Sequence, residues 1–444
     1  MNILSLSWKN LTNNALSMLL SLVLFALGVG LISLLLLLNR QVDEKYDKNL
    51  ADIDLVIGAR GSPLQLILCN MYHIDVPTGN IPIKAARPFM NPKHPLIKLS
   101  IPLSLGDSYK SYRIVGTTYE LPDSLYNGVI AKGNLWQEDM EVTIGAAVAE
   151  DLQLKIGDTF FSSHGLIDDE LHIHDDVQPF KIVGIFAPGG TVLDQLILTT
   201  PQSIWKVHEH VDAPPAPLGE EEGHEHDHDH AGHDHEGHDH DHEHDHDHEA
   251  APQERKALMD EVDKEITALL IRYKSKTNFR SLSMGRNINE NTDLQAASPA
   301  WEMNQLFSMM GAGEQLLKMI AFIIIFVSGL SIFISLFKSL RERKKELALM
   351  RVMGASRAKL FMLVIMEGLL LAVIGYLIGI TLSHIGMELL AGVMKDSYRY
   401  SFTGWTFMKE EIYLFFGALG IGFVAALIPA IQASGTDISE TLSS

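Results

Sequence analysis

Twelve histidines alternate with aspartate and glutamate between Gly223 and Glu249: His224, His226, His228, His230, His233, His235, His238, His240, His242, His244, His246 and His248. Neutral imidazole suits zinc, copper and nickel, and interleaved carboxylates offset a cation's charge. Almost any local bend of such a run gathers several ligands, so the expected binding is multiple, exchangeable and weakly selective. That is the behaviour of a buffer or sensor, not of a catalytic centre. Protons compete for the same nitrogens, so metal should bind less well in acid. Imidazoles of ordinary pKa, about 6.5, would also charge together there, which leaves pH sensing as an alternative. His164, His172, His174 and Asp175 form a secondary set of metal candidates. In an extended strand, His172 and His174 would project from one face.

The second chemistry-bearing group is cationic. Eight basic residues, Lys338, Arg341, Arg343, Lys344, Lys345, Arg351, Arg357 and Lys359, stand between two long apolar runs. Lys338–Met353 is predicted as one amphipathic helix with Leu340, Leu347 and Met350 towards one side. Gly354 suits the left-handed position after a helix, and Ser356 can cap the next one. Glu367 lies seven residues into the following apolar run, roughly 10 Å deep at about 1.5 Å per residue. A carboxylate there is costly and should face a partner helix or a polar cavity. Gly375 and Gly379 form a G-x-x-x-G pattern that favours close helix packing.

These residues need a membrane to position them. Four runs, Ala15–Leu38, Met319–Phe337, Leu360–Ile385 and Ile412–Ile431, have about the 20 residues a bilayer demands. The first is too long for a signal-peptide core and reads as an anchor. The loop after the second run carries eight Lys and Arg, against three (Lys395, Arg399, Lys409) after the third, so the first of these loops should be cytoplasmic. Both termini are then inside, and about 280 residues between the first two runs are outside. The net charge of −20 is concentrated, because 14 acidic residues and no basic ones fall within residues 220–249. Nothing supports nucleic-acid binding.

The expected organisation follows in order: residues 1–38, the N-terminal segment and first span; 39–312, an extracytoplasmic α+β domain; 313–337, the second span. Then come 338–359, a cytoplasmic elbow; 360–385, the third span; 386–411, a short outer loop; and 412–444, the fourth span and tail. Within the outer domain, residues 208–252 form a His/Asp-rich insertion that holds 14 of the chain's 20 histidines. It cannot bury a core and is expected to be disordered. Strands are predicted at Asp54–Ile57, Tyr112–Val115, Phe180–Phe186 and Gln195–Thr199, and a helix at Gly145–Leu152 followed by a turn into a strand at Phe160. Residues 254–273 are predicted as a helix on the spacing of Leu258, Val262, Ile266, Leu269 and Tyr273. Lys274–Pro299 is predicted as a polar connection. Cys69 is the sole cysteine and is expected to pack in the core. No G-x-x-x-x-G-K-[ST] loop occurs, so no ATPase is recognisable in the chain.

Several stretches together resemble one family. They are Trp8-Lys9-Asn10-Leu11, Val148–Leu152 with Gly157-Asp158-Thr159, Phe180–Ile185, Arg341–Glu346 with Leu349–Ser356 and Glu367, and Pro429–Ser434. The chain is similar to the FtsX-like permeases of ABC transporters, the group containing macrolide-exporter and lipoprotein-releasing permeases. Ile438 stands where that family usually has proline, and the histidine insertion is foreign to its general pattern. The resemblance implies a non-catalytic, multi-pass subunit of a bacterial inner membrane, with ATP bound by a separate cytoplasmic ABC ATPase dimer. It also implies a homodimer or pseudo-dimer of permeases, with a periplasmic partner as a further option. Arg341, Arg343, Lys344, Lys345, Glu346, Arg351, Gly354 and Ser356 would then form the ATPase-coupling elbow. ATP hydrolysis would drive movement of the outer domain, tied to zinc, copper or nickel through the histidines. Two alternatives are a scaffold that controls an outer-surface enzyme and a metal transporter acting through its own spans. For the second, only Glu367 is well placed, with His384 near an end.

Overall fold

The computed structural model describes residues 6–10, 15–164, 178–209, 257–398 and 402–435. The tract from His224 to His248, together with His172, His174 and Asp175, lies outside them. The chain divides into two units, Met1–Asp47 with Asn304–Ser444, and Lys48–Met303. In order, the elements are α1 (Ala15–Leu50), β1 (Leu55–Ala59), α2 (Pro63–Met71), β2 (Ile81–Pro82), α3 (Ile83–Met90), β3 (Ile97–Tyr109), β4 (Tyr112–Gly116), β5 (Ile130–Gly133) and β6 (Glu141–Ile144). There follow α4 (Ala146–Asp151), β7 (Thr159–Phe160), β8 (Ser163–His164), β9 (Phe180–Phe186), β10 (Ile197–Thr199), α5 (Pro201–Glu209), β11 (Glu265–Ile266) and β12 (Ala268–Tyr273). The last are α6 (Phe279–Asn291), β13 (Leu294–Ala297), α7 (Pro299–Glu342), α8 (Lys344–Val352), α9 (Arg357–Tyr398) and α10 (Lys409–Ser434).

In the first unit, α1, α7, α9 and α10 are long and apolar enough to cross a membrane. Each outruns the apolar segment that predicted it. At the end of α1, polar residues with good helix propensity carry the helix on, helped by an Arg40–Glu44 pair one turn apart at 2.6 Å. The helices meet at small residues. A Cβ on Gly375 would lie 2.6 Å from the Phe25 ring, and one on Gly379 would lie 2.7 Å from the Ala26 carbonyl, so the G-x-x-x-G face packs on α1. Gly368 of α9 faces Gly422 of α10, and a Cβ on either would lie 2.8 Å from the other's carbonyl oxygen.

The second unit is a mixed sheet in the order β13-β1-β12-β3-β4-β10-β6-β9-β5, with β7 on β9 and β8 on β3. Pairs β4–β10 and β6–β9 are parallel, and the remaining pairs of this sheet are antiparallel. The strand pattern is plain in β9, where Phe180, Ile182 and Phe186 are buried at period two. One expectation fails here. Residues 254–273 are not one helix: a helical turn at 257–260 leads to β11 and then β12. β12 lies between β1 and β3, so nearly all of it is buried. A strand covered on both faces loses the alternation that would identify it, and helical spacing fits it by coincidence. The supposed connection 274–299 is also structured. Asn278 caps α6 by accepting from the Arg280 N–H at 3.0 Å, α6 buries Ser281, Met284 and Ile288 on one face, and β13 pairs with β1.

Cys69 is buried, and burial pushes its thiol up to about 11. The Arg113 guanidinium lies 3.9 Å from its sulfur. Burial, and secondly the charge of Arg113, hold the His73 imidazole down at about 3, against 6.5 when unperturbed. A base with a depressed folded pKa contributes stability above its unfolded value, and this is lost as pH falls towards the folded one. The second unit is therefore expected to lose stability between about pH 6.5 and 3, and His73→Leu should flatten that loss. Thermal midpoints of both proteins across this range check it.

Candidate functional site

The basic elbow is two helices, not the single one predicted. α7 ends at Glu342, Arg343 adopts φ −102° and ψ 18°, and α8 starts at Lys344. The cause of the break is tertiary. Arg343 turns inward, and its Nη2 donates to Ser339 Oγ at 2.8 Å and to Glu367 Oε1 and Oε2 at 3.2 and 3.3 Å. The two side chains retain only 13% and 3% exposure. A third segment closes the junction. Residues 6–10 are helical, Asn10 Nδ2 donates to Glu367 Oε1 at 2.8 Å, and buried Ser7 donates to the Leu363 carbonyl at 3.4 Å. One carboxylate thus ties together the N-terminal segment, the α7–α8 joint and α9. A buried ion pair contributes little net stability compared with apolar packing, but removing one partner leaves a stranded charge. What it provides here is a fixed joint geometry.

The elbow's far end is fixed by local chemistry. Gly354 has φ +97°, and the N–H groups of Gly354 and Ala355 donate to the carbonyls of Arg351 and Met350, both at 3.0 Å. Ser356 Oγ then accepts from the Lys359 N–H at 3.3 Å and caps α9. On α8, Leu347 and Ala348 face inward while Lys344, Lys345 and Glu346 are exposed. Arg341, also exposed, lies over the Phe337 ring at 4.8 Å, and Arg351 is half-buried. Leu349, Val352 and Met353 are exposed as well. The surface is a small apolar patch beside cations, the composition of a protein-binding site with a charged rim.

A second polar cluster stands 17 residues further along α9, about 26 Å at about 1.5 Å per residue. His384 Nε2 lies 3.1 Å from Glu411 Oε1 of α10, and its Nδ1 contacts the Gly404 carbonyl. The Gly404 N–H donates to Glu388 Oε2 at 2.8 Å. Gln41 of α1 exchanges two hydrogen bonds with the Thr403 backbone, at 2.7 and 2.9 Å. The two clusters bracket a stretch close to the roughly 30 Å of a hydrocarbon core.

Arg341, Lys344, Lys345, Glu346, Arg351, Gly354 and Ser356 therefore share one elbow, whereas Arg343 belongs to the internal junction. Asn10 and Ser7 were not among the sequence candidates. The Trp8-Lys9-Asn10-Leu11 stretch entered only through the family resemblance, which gave Asn10 no partner. Of the metal candidates, only His164 is described, as a backbone position in β8. Among the described residues, no group of three or more His, Cys, Asp or Glu could hold a metal ion.

Residues 318–438 match the family model for the FtsX-like permease C-terminal domain. That span contains the elbow, Glu367 and both polar clusters apart from Ser7, Asn10 and Gln41. No curated protein matches the chain.

Proposed function

With residues 318–438 carrying an FtsX-like permease C-terminal domain, we propose that the chain is a permease subunit that converts ATP hydrolysis on a separate ABC ATPase into movement of its Lys48–Met303 unit. Permeases of this family generally work with such an ATPase and do no catalysis themselves. The observation that carries the proposal is the elbow. Its exposed cations and apolar side chains are offered to a partner, while Arg343 is locked to Glu367 behind them. A force on α8 would reach α9 and the N-terminal segment through one rigid joint.

In this reading the elbow faces the bacterial cytoplasm, a placement its eight basic residues favour. The sheet unit, inserted between the first two spans, is extracytoplasmic, and two permease copies sit on an ATPase dimer. The histidine tract links the work to zinc or a similar metal. The described spans give little support to ion conduction. The ionisable contacts of α9, at Glu367 and His384, stand about 26 Å apart, and the stretch of α9 between them is largely apolar.

Charge reversal of Arg341, Lys344 and Lys345 should abolish co-purification of the cytoplasmic ATPase with the chain, while the sheet unit keeps its thermal midpoint. All three are exposed, so folding should not suffer. Undiminished co-purification would remove the elbow from the interface.

A further inference from the structure

His384 is set between two acceptors, 17 residues beyond Glu367 on α9. Its Nδ1 contacts the Gly404 carbonyl, and its Nε2 lies 3.1 Å from Glu411 Oε1 of α10. The two side chains retain only 10% and 7% exposure. The approach to Glu411 is close but lacks the alignment of a hydrogen bond, a contact of charges when the ring is protonated. A carbonyl oxygen only accepts, and so does an ionised carboxylate, whereas neutral imidazole carries one N–H for its two nitrogens. Neutral His384 beside ionised Glu411 can therefore serve one neighbour only. One further proton, on His384 or on Glu411, serves both.

The surroundings hold the ring in this position. A Cβ on Gly404 would collide with the His384 carbonyl oxygen, so glycine is what lets residues 402–408 run this close to α9. The Gly404 N–H donates to Glu388 Oε2, one turn on from His384, at 2.8 Å. Gln41 of α1 holds both the N–H and the carbonyl of Thr403. The Phe407 ring packs on the imidazole with centroids 4.8 Å apart. Tyr376 donates to the Glu411 backbone carbonyl at 3.0 Å, which ties α9 to α10 beside the pair. Among the described residues, the other titratable groups that meet the cluster from α9 are thus Glu388 and Tyr376. From α1 comes uncharged Gln41, and Lys409 and Glu410 of α10 are exposed.

We propose that His384 and Glu411 form a proton-operated latch, which ties α9 to both α10 and residues 402–408 only while the pair holds a proton. When that proton leaves, a single ring N–H must choose between Gly404 and Glu411, and one of the two ties is lost. The titration belongs to the pair and not to either residue. A closed form that binds the proton more tightly contributes stability that is lost as pH rises, so the latch is shut in acid and opens towards alkaline pH. Exposed Thr403, Trp405 and Glu388 leave the cluster within reach of water. The permease reading supplies the latch's purpose, control of how the spans separate at the end away from the elbow, but not its chemistry.

The test is amide hydrogen exchange of the full-length protein in detergent, without any ATPase, read on peptides covering residues 402–408. The scan runs from about pH 5 to 9, which spans imidazole titration, with correction for the intrinsic exchange rate. Protection in the wild type is expected to fall roughly tenfold or more across it, the equivalent of one unit of proton linkage. Glu411→Gln should abolish the fall, because its side-chain amide can donate to neutral Nε2 while Nδ1 keeps Gly404. His384→Gln, with no ring to titrate, should be equally flat and remains decisive if Glu411→Gln does not fold. Glu388→Gln should retain the fall, since an amide oxygen still accepts from Gly404. Wild-type protection independent of pH, a fall that persists in both pair variants, or a fall lost in Glu388→Gln alone would each overturn the latch. Failure of the permease reading would leave these results untouched, because no ATPase takes part.

Discussion

Glu367→Ala is expected to destabilise the membrane unit by about 3–5 kcal/mol, the usual cost of leaving one member of a buried ion pair uncompensated. Arg343 would keep its place with 13% side-chain exposure and a hydrogen bond to Ser339, but without the carboxylate it donates to. The Asn10 amide would lose its acceptor too. The double variant Arg343→Met, Glu367→Leu should recover most of that stability, since apolar replacement of both partners is commonly neutral or better. It should not recover coupling, because the joint would lose the bonds that set its angle. Thermal unfolding in detergent and ATP turnover with the ATPase present separate these effects. A double variant that is stable and fully coupled would show that the pair is only packing.

Gly422→Leu should be far more damaging than Gly417→Leu on the same helix. Its Cβ would lie 2.6 Å from the Ala372 Cβ and 2.8 Å from the Gly368 carbonyl oxygen. Neither can swing aside, so α9 and α10 must separate. Overpacking of a core costs about 1–3 kcal/mol when side chains adjust, and here backbone must move, so the upper end or beyond is expected. A Cβ on Gly417 or Gly420 of the same helix would meet nothing within 4 Å among the described residues, and Gly417→Leu serves as the control. A large loss of folded, monodisperse protein for Gly422→Leu alone supports the packing. Equal tolerance at both positions would contradict it.

How far the sequence revealed this molecule depended on where each residue's determinants lie. The spans, the Gly354 cap and the strand at Phe180–Phe186 rest on local chemistry or short periodicity, and these were readable. β12 was not, because burial on both faces erased its alternation. α6 was not, because a helix with few apolar contacts resembles a polar connection. The break at Arg343 was invisible for another reason. Its cause is Glu367, 24 residues on, and Asn10, 357 residues from Glu367, and no local pattern carries such contacts.

In the proposed function this chain transmits the work of a separate ABC ATPase. The most direct measurement is ATP turnover by the cognate ABC ATPase in liposomes, with the intact permease, with the Arg341, Lys344 and Lys345 charge-reversal variant, and without permease. Turnover that rises with the intact chain and falls to the permease-free level with the variant is the predicted result. Turnover that is the same in all three would contradict the account.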